Sequence, residues 1–155
     1  MSAFRRRTEA HRFAVNGMRM NRPAARKKGA ARLEVVDGVP VIDVDGEVDI
    51  ANVDEFEALL RAAVESGAGA VVIALEHARY FDSAAIHALL SCRARQIKAR
   101  QGFLVVRPAT AAGRRVLEIC GLLRDGSLVA SRGEGIEMAK QIAAQRRIDG
   151  PAREA

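Results

Sequence analysis

The run Ala70-Val71-Val72-Ile73-Ala74-Leu75 decides how this chain folds, together with Asp82-Ser83-Ala84-Ala85-Ile86-His87-Ala88-Leu89-Leu90 close behind it. Six consecutive apolar residues, three of them β-branched, show no polar alternation, which is the pattern of a strand buried on both faces. A short loop is expected to follow. Asp82 and Ser83 both have side chains that accept hydrogen bonds from free N–H groups at a helix start. From there Ile86, Leu89, Leu90, Ala94 and Ile97 recur as one apolar stripe. Arg93, Arg95, Lys98 and Arg100 gather at the other end, where the helix dipole is negative. Gly102 ends the segment.

The pattern repeats downstream. Phe103-Leu104-Val105-Val106 reads as a second buried strand closed by Pro108, and Thr110 suits the cap of a helix that turns Val116, Leu117, Ile119 and Cys120 inward. Gly121 terminates that helix. A short strand at Leu128-Val129 and a helix over 133–146 complete the series. Upstream, Leu33–Val36 and Val39–Val44 flank Asp37-Gly38, a strong two-residue hairpin signal. Pro40, Ile42 and Val44 fall on one face of the second run, Val41, Asp43 and Asp45 on the other. The run ends at Gly46-Glu47-Val48-Asp49. Val53, Phe56, Leu59, Leu60, Ala63 and Val64 then recur at helical spacing, with Asp54, Glu55 and Glu57 near the positive end and Ser66-Gly67 as the stop. Strands alternating with helices after an opening hairpin specify an α/β domain with parallel neighbours and right-handed crossovers. There is no internal repeat.

Charge divides the chain. Residues 1–32 hold ten Arg and Lys side chains against one acid, Glu9, so of the total of +6 the other 123 residues carry −3. Three regions are expected: a basic leader over 1–32, one domain over 33–147 and a flexible end over 148–155. The leader reads either as a solvated, disordered extension or as a binder of nucleic acid or anionic membrane, and its Arg-rich, acid-poor character also suits an organelle transit peptide. No apolar run approaches the roughly 18 residues that span a bilayer, so no membrane insertion is expected. Cys92 and Cys120 lie in helical patterns without a secretion signal, which points to reduced, buried thiols and a cytoplasmic protein.

Enzyme signatures are missing: no Gly-x-Ser-x-Gly elbow, no phosphate-cradling glycine loop, no zinc-like Cys/His spacing. Ser83 and His87 share a helix face, but a base one turn along does not reach a hydroxyl at the helix start, so the chain does not read as a hydrolase. No cofactor is expected. Asp82-Ser83 can serve purely as helix caps. The same position also suits a phosphorylation site, because a helix N-terminus accepts the added anion while the surface gains about −1.5 to −2 charges. A partner fitted to the neutral hydroxyl would then be repelled.

Val71 to Leu75 followed by Tyr80-Phe81-Asp82-Ser83-Ala84-Ala85-Ile86-His87-Ala88-Leu89-Leu90 resembles the signature of the STAS domain family, whose best-known soluble members are anti-sigma factor antagonists. Gly46-Glu47-Val48-Asp49 and Val116-Leu117-Glu118-Ile119-Cys120-Gly121-Leu122 fit the same family, in its order and spacing. The resemblance implies a mixed sheet of about four or five strands with helices mainly on one face. It implies that Ser83 is phosphorylated by an anti-sigma factor that is itself a serine kinase and binds the nucleotide. It further implies that phosphorylation abolishes binding and that a serine phosphatase restores it. Asp49, Asp82, Ser83, Ala84 and Ile86 would then form the partner-binding surface of a regulator of sigma-dependent transcription, in a stress response. Two positions depart from the family pattern: its glycine two residues after the serine is Ala85, and its frequent second hydroxyl is Ala84. A rival role within the same fold is a scaffold in a stress-sensing assembly or an accessory subunit of a lipid-transport complex. A second rival is nucleic-acid binding through residues 5–32.

Overall fold

The computed structural model describes residues 30–122 and 127–150. The basic leader up to residue 29 and the last five residues lie outside the described residues, so the expectations placed on them are not addressed by the fold. The elements run β1 (Ala31–Val36), β2 (Val39–Val48), α1 (Val53–Glu65), β3 (Ala70–Phe81), α2 (Ser83–Lys98), β4 (Gly102–Val106), α3 (Ala111–Ile119), β5 (Leu128–Val129) and α4 (Arg132–Asp149). The strands form one sheet in the order β1-β2-β3-β4-β5. β1 is antiparallel to β2, and every later neighbour is parallel.

The hairpin forms because Asp37 and Gly38 both take positive φ, 53° and 82°, the combination whose twist matches the flanking strands. Val36 then pairs with Val39, which fixes the register that turns Ile42 and Val44 to one face. From β2 onward each strand lies beside its predecessor on the same side. With right-handed crossovers, that one-way march places α1, α2 and α3 on a single face. Their buried residues Phe56, Leu60, Ala85, Leu89, Cys92 and Leu117 pack there with Ile42, Val44, Val71, Ile73, Leu75 and Val105. The opposite face is left for α4, whose Ile136 and Ala139 cover Val39, Val41, Val72, Ala74, Leu104 and Val106. β3 is therefore buried on both sides over Ala70–Leu75, as its unbroken apolar run requires. The α/β class and the mixed sheet with helices mainly on one face are those expected.

Three local expectations are corrected. The segment after Leu75 is not a loop: β3 continues to Phe81 because β2 also continues, to Val48, and supplies its ladder partners. In α2 the buried row is Ala85, Ala88, Leu89, Cys92 and Gln96, leaving Ile97 52% exposed and Ile86 and Leu90 half-buried. Small Ala85 and Ala88 bring the helix close to the sheet, so the larger aliphatic row turns outward. Gln96 is tolerated inside because its Nε2 donates to the Gly102 carbonyl at 2.7 Å. In α3, Ile119 is 71% exposed. Its place is taken by Leu122, because Gly121 (φ 78°) reverses the chain and the Leu122 N–H returns to the Leu117 carbonyl at 2.9 Å. Leu117 and Leu122 close this helix end together in the core.

Both cysteines are free thiols, Cys92 buried and Cys120 half-buried. Burial pushes the Cys92 thiol up to about 12, against a smaller opposing pull from Arg95. No helix among the described residues is long and apolar enough to cross a membrane.

α4 approaches the sheet through Gly135, where an added Cβ would lie 3.2 Å from Val72 Cγ1 and 3.3 Å from Val129 Cγ2. Gly135→Leu should therefore destabilise the domain by about 1–3 kcal/mol through overpacking. Gly135→Ala should be near neutral, its helix-propensity gain of about 1 kcal/mol offsetting the crowding. Urea unfolding checks this, and a Leu variant as stable as wild type would contradict the close packing.

Candidate functional site

The site lies where β2 and β3 run past the buried part of the sheet. Ala70–Ala74 pair with β4, but beyond them β3 has only β2 beside it. Two register shifts, between Asp43 and Asp45 and between Gly46 and Glu47, each leave an extra residue on β3. Such bulges increase local twist and bend the ribbon. Val48 and Phe81 form the last pair, and the Asp82 N–H donates to the Val48 carbonyl at 3.2 Å. Asp82 is the whole connection, since α2 begins at Ser83.

Asp82 is extended (φ −89°, ψ −175°), and its carboxylate is divided between two jobs. Oδ1 accepts from the Ala85 N–H at 3.0 Å, capping α2. Oδ2 accepts from the Ile50 N–H at 2.9 Å, thirty-two residues away in sequence. One side chain thereby fastens the helix start to the loop after β2. Charge on the acceptor strengthens both bonds.

That loop is built by its own side chains. Asp49 Oδ1 accepts from the Ala51 N–H at 2.9 Å, and Asn52 Oδ1 accepts from the Asp49 N–H at 2.9 Å. Asn52 Nδ2 reaches back to the Glu47 carbonyl at 3.0 Å. The pattern is a tight turn held by Asx side chains. Asp49 is thus a turn former in this arrangement, and Ile50 at the turn's crest is 76% exposed. Phe81 anchors the ribbon from below, its ring tilted 60° to Phe56 with centroids 5.8 Å apart.

Ser83 is exposed at the first position of the sixteen-residue α2. Ala84 and Ile86 are half-buried beside it, and Ala85 is fully buried. The Ala85 departure from the family glycine is accommodated in an ordinary helical turn. His87 is exposed, and no hydrogen bond joins it to Ser83 among the described residues. The structure brings Asp82, Ser83, Ala84 and Ile86 together in one helix turn and joins the Asp49 loop to them through Ile50.

Residues 30–134 match the STAS domain. The chain belongs to the STAS family. BtrV of Bordetella bronchiseptica, named as a candidate anti-sigma factor antagonist, is 34% identical over 91 residues, covering 59% of this chain and 78% of that protein. An anti-sigma factor antagonist from Mycobacterium paratuberculosis superimposes with a TM-score of 0.63 at 25% identity, over 71% of this chain and 92% of its own. The Bacillus protein SpoIIAA, solved in phosphorylated form, has the same fold, with a TM-score of 0.59 at 23% identity over 70% of this chain and 98% of its own.

Sequence reasoning about this STAS domain missed Ile50 and Asn52. Asn52 was accessible in principle: an Asn directly before a helical run is a cap residue whose side chain readily bonds nearby backbone. Ile50 matters here through its N–H, and nothing local predicts a bond across 32 residues.

Asp82→Asn tests the double fastening. An amide offers one acceptor oxygen where the carboxylate offers two. We expect the cap to keep that oxygen, leaving stability within about 1 kcal/mol of wild type while the 49–52 loop is released. Hydrogen exchange should then speed up at the Ile50 N–H and stay slow at Ala85. Unchanged protection at both amides would contradict the shared role of the carboxylate.

Proposed function

We propose that this STAS domain is an anti-sigma factor antagonist that binds an anti-sigma factor serine kinase and is switched off by phosphorylation of Ser83. The observation that carries this reading is the placing of Ser83: exposed, first in its helix, and next to a carboxylate already committed to two backbone donors. The names of the relatives support the antagonist role. In this reading the partner lies across the turn around Asp49 and the first turn of α2, contacting Asp82, Ser83, Ala84 and Ile86.

The switch follows from local electrostatics. Asp82 already takes the Ala85 N–H, so a phosphate on Ser83 adds its charge of about −1.5 to −2 beside an existing anion. The helix dipole and the remaining free N–H groups at the helix start compensate part of that charge, which lets the domain stay folded. The rest projects into the surface a partner must cover. An unmatched buried charge costs about 2–5 kcal/mol there, roughly 30-fold to several-thousand-fold in affinity. A serine phosphatase would reverse the change. The domain needs no cofactor of its own, because the kinase brings the nucleotide. With two free thiols and sigma-factor regulation as its task, we place it in the cytoplasm.

Incubation with the anti-sigma kinases of the same cell and labelled ATP, followed by mapping, should place the label on Ser83. Calorimetry should show Ser83→Asp binding at least about 30-fold more weakly. Ser83→Ala should bind as wild type and resist inactivation by ATP. Wild-type affinity in the Asp variant, or label on another residue, would refute the switch.

A further inference from the structure

The two edges of the sheet are not alike. β5 is two residues long, too short to template another strand. β1 runs six residues in unbroken register with β2, without a bulge or a proline, and no strand among the described residues lies beyond it. Two observations fix the phase of its backbone. The Ala30 carbonyl accepts from the Asp45 N–H at 2.7 Å, so the even-numbered residues turn their polar groups toward β2. Val35 lies opposite Pro40, which has no N–H to give, so that pair is not a hydrogen-bonded one. The two kinds of pair alternate along an antiparallel ladder. Ala31, Leu33 and Val35 therefore point their N–H and C=O groups outward, away from the sheet.

The side chains make this edge complementary to itself. Ala31 and Leu33 pack against the core on the α1 face, and Val35, two residues on, is 58% exposed. Arg32 and Glu34 fall on the opposite face. Arg32 lies 3.7 Å from Asp43 with its side chain 72% exposed. Glu34 binds Arg132 at 2.9 Å while 49% exposed, and a carboxylate has room for a second donor. Consider a second β1 laid antiparallel along the edge, with the two-fold axis at Leu33. Ala31 then meets the partner's Val35, Leu33 the partner's Leu33, and Arg32 the partner's Glu34. All three outward residues fall in hydrogen-bonded pairs. Both charge pairs fall at the closer positions between them, with Cα atoms about 4.5 Å apart. Moving the axis to residue 32 sets Arg32 against its own copy, and moving it to residue 34 does the same to Glu34; like charges directly opposite disfavour both.

We propose that a second copy of this chain pairs with the outer edge of β1, antiparallel and with its two-fold axis at Leu33, so that the two sheets join into one. Charge complementarity selects this occupant and this register, which sets opposite charges across the axis twice and brings the partner's Ala31 beside the exposed Val35. Because β3 runs antiparallel to β1, the Ser83 ends of the two copies point in opposite directions. The inference does not depend on Ser83 being phosphorylated.

Sedimentation equilibrium of the full chain over roughly 5–500 μM should show a monomer–dimer equilibrium. Arg32→Glu or Glu34→Arg alone makes both charge pairs repulsive and should weaken dimerisation at least about tenfold. An equimolar mixture of the two variants has opposite charges at both pairs again and should associate as wild type does. Val35→Pro removes an N–H that the ladder to β2 does not use, so it should leave the chain monomeric with its thermal midpoint little changed. The charge-swapped mixture with Val35→Pro in both chains should also stay monomeric, which separates strand pairing from general charge attraction. A wild-type chain that is monomeric throughout overturns the proposal, as does a dimer that survives Val35→Pro. So does a mixture of folded variants that fails to associate. If Glu34→Arg, which gives up its bond to Arg132, folds poorly, the comparison of wild type with Val35→Pro decides alone.

Discussion

The parallel pairing of β2 with β3 beyond the buried sheet is the constraint on which the Ser83 end of this molecule depends. Over Ala70–Leu75 burial on both faces is enough to hold β3 in place. From Glu76 onward that burial is lost on one side, and the strand is kept by its ladder to β2 and by Ala78 and Phe81 beneath. Because the ladder persists through Val48 and Phe81, no loop intervenes before α2. Asp82 turns directly from strand into helix, and Ser83 inherits its position from backbone hydrogen bonds. A serine on a six-residue loop would sample many positions, each with an ordering cost on binding. This one is already placed.

The topology explains why the same end gathers two loops. Three right-handed crossovers marching in one direction bring the carboxyl ends of β2 and β3 side by side, with α1 and α2 starting there on a common face. Two adjacent helix starts leave unsatisfied N–H groups close together. The Asp82 carboxylate answers one from each connection, Ala85 in α2 and Ile50 before α1. Its cost in desolvation is small because the Ile50 bond is exposed, so its value lies in fixing geometry more than in stability.

Much of this was legible in the sequence, for physical reasons that also mark where legibility ended. Asp37-Gly38 declares a turn because few other residue pairs take two positive φ values, and Ala70–Leu75 declares a doubly buried strand because no exposed strand needs six apolar residues. Ser83 could be placed at a helix start because capping chemistry is local. The strand over His77–Phe81 was not legible: its alternation is broken by two bulges, and its stability comes from a partner strand some thirty residues earlier. The buried row of α2 was misread because large side chains were assumed to face inward, whereas alanines do so when a helix sits close to a sheet. Ile119 was misread because the reversal at Gly121 substitutes Leu122 for it, an outcome that depends on the turn and not on helical periodicity. The link from Asp82 to Ile50 is purely tertiary.

These features bear on how this end would respond to an added charge. A segment held at both ends, by the Val48–Phe81 ladder above and the Asp82 cap below, has little room to respond by refolding. An anion added at Ser83 would meet a helix start whose backbone can take part of its charge without moving. Its effect is therefore confined to the potential of the surface, which falls off over about 8–10 Å at physiological salt. The groups joined to this helix start are the Asp82 carboxylate and, through Ile50, the turn around Asp49. Rigid placement and short-range charge belong together in such a design: a charge change can discriminate between partners only if it appears at a fixed point in the interface. The unbroken β3–Asp82–α2 connection supplies that fixed point.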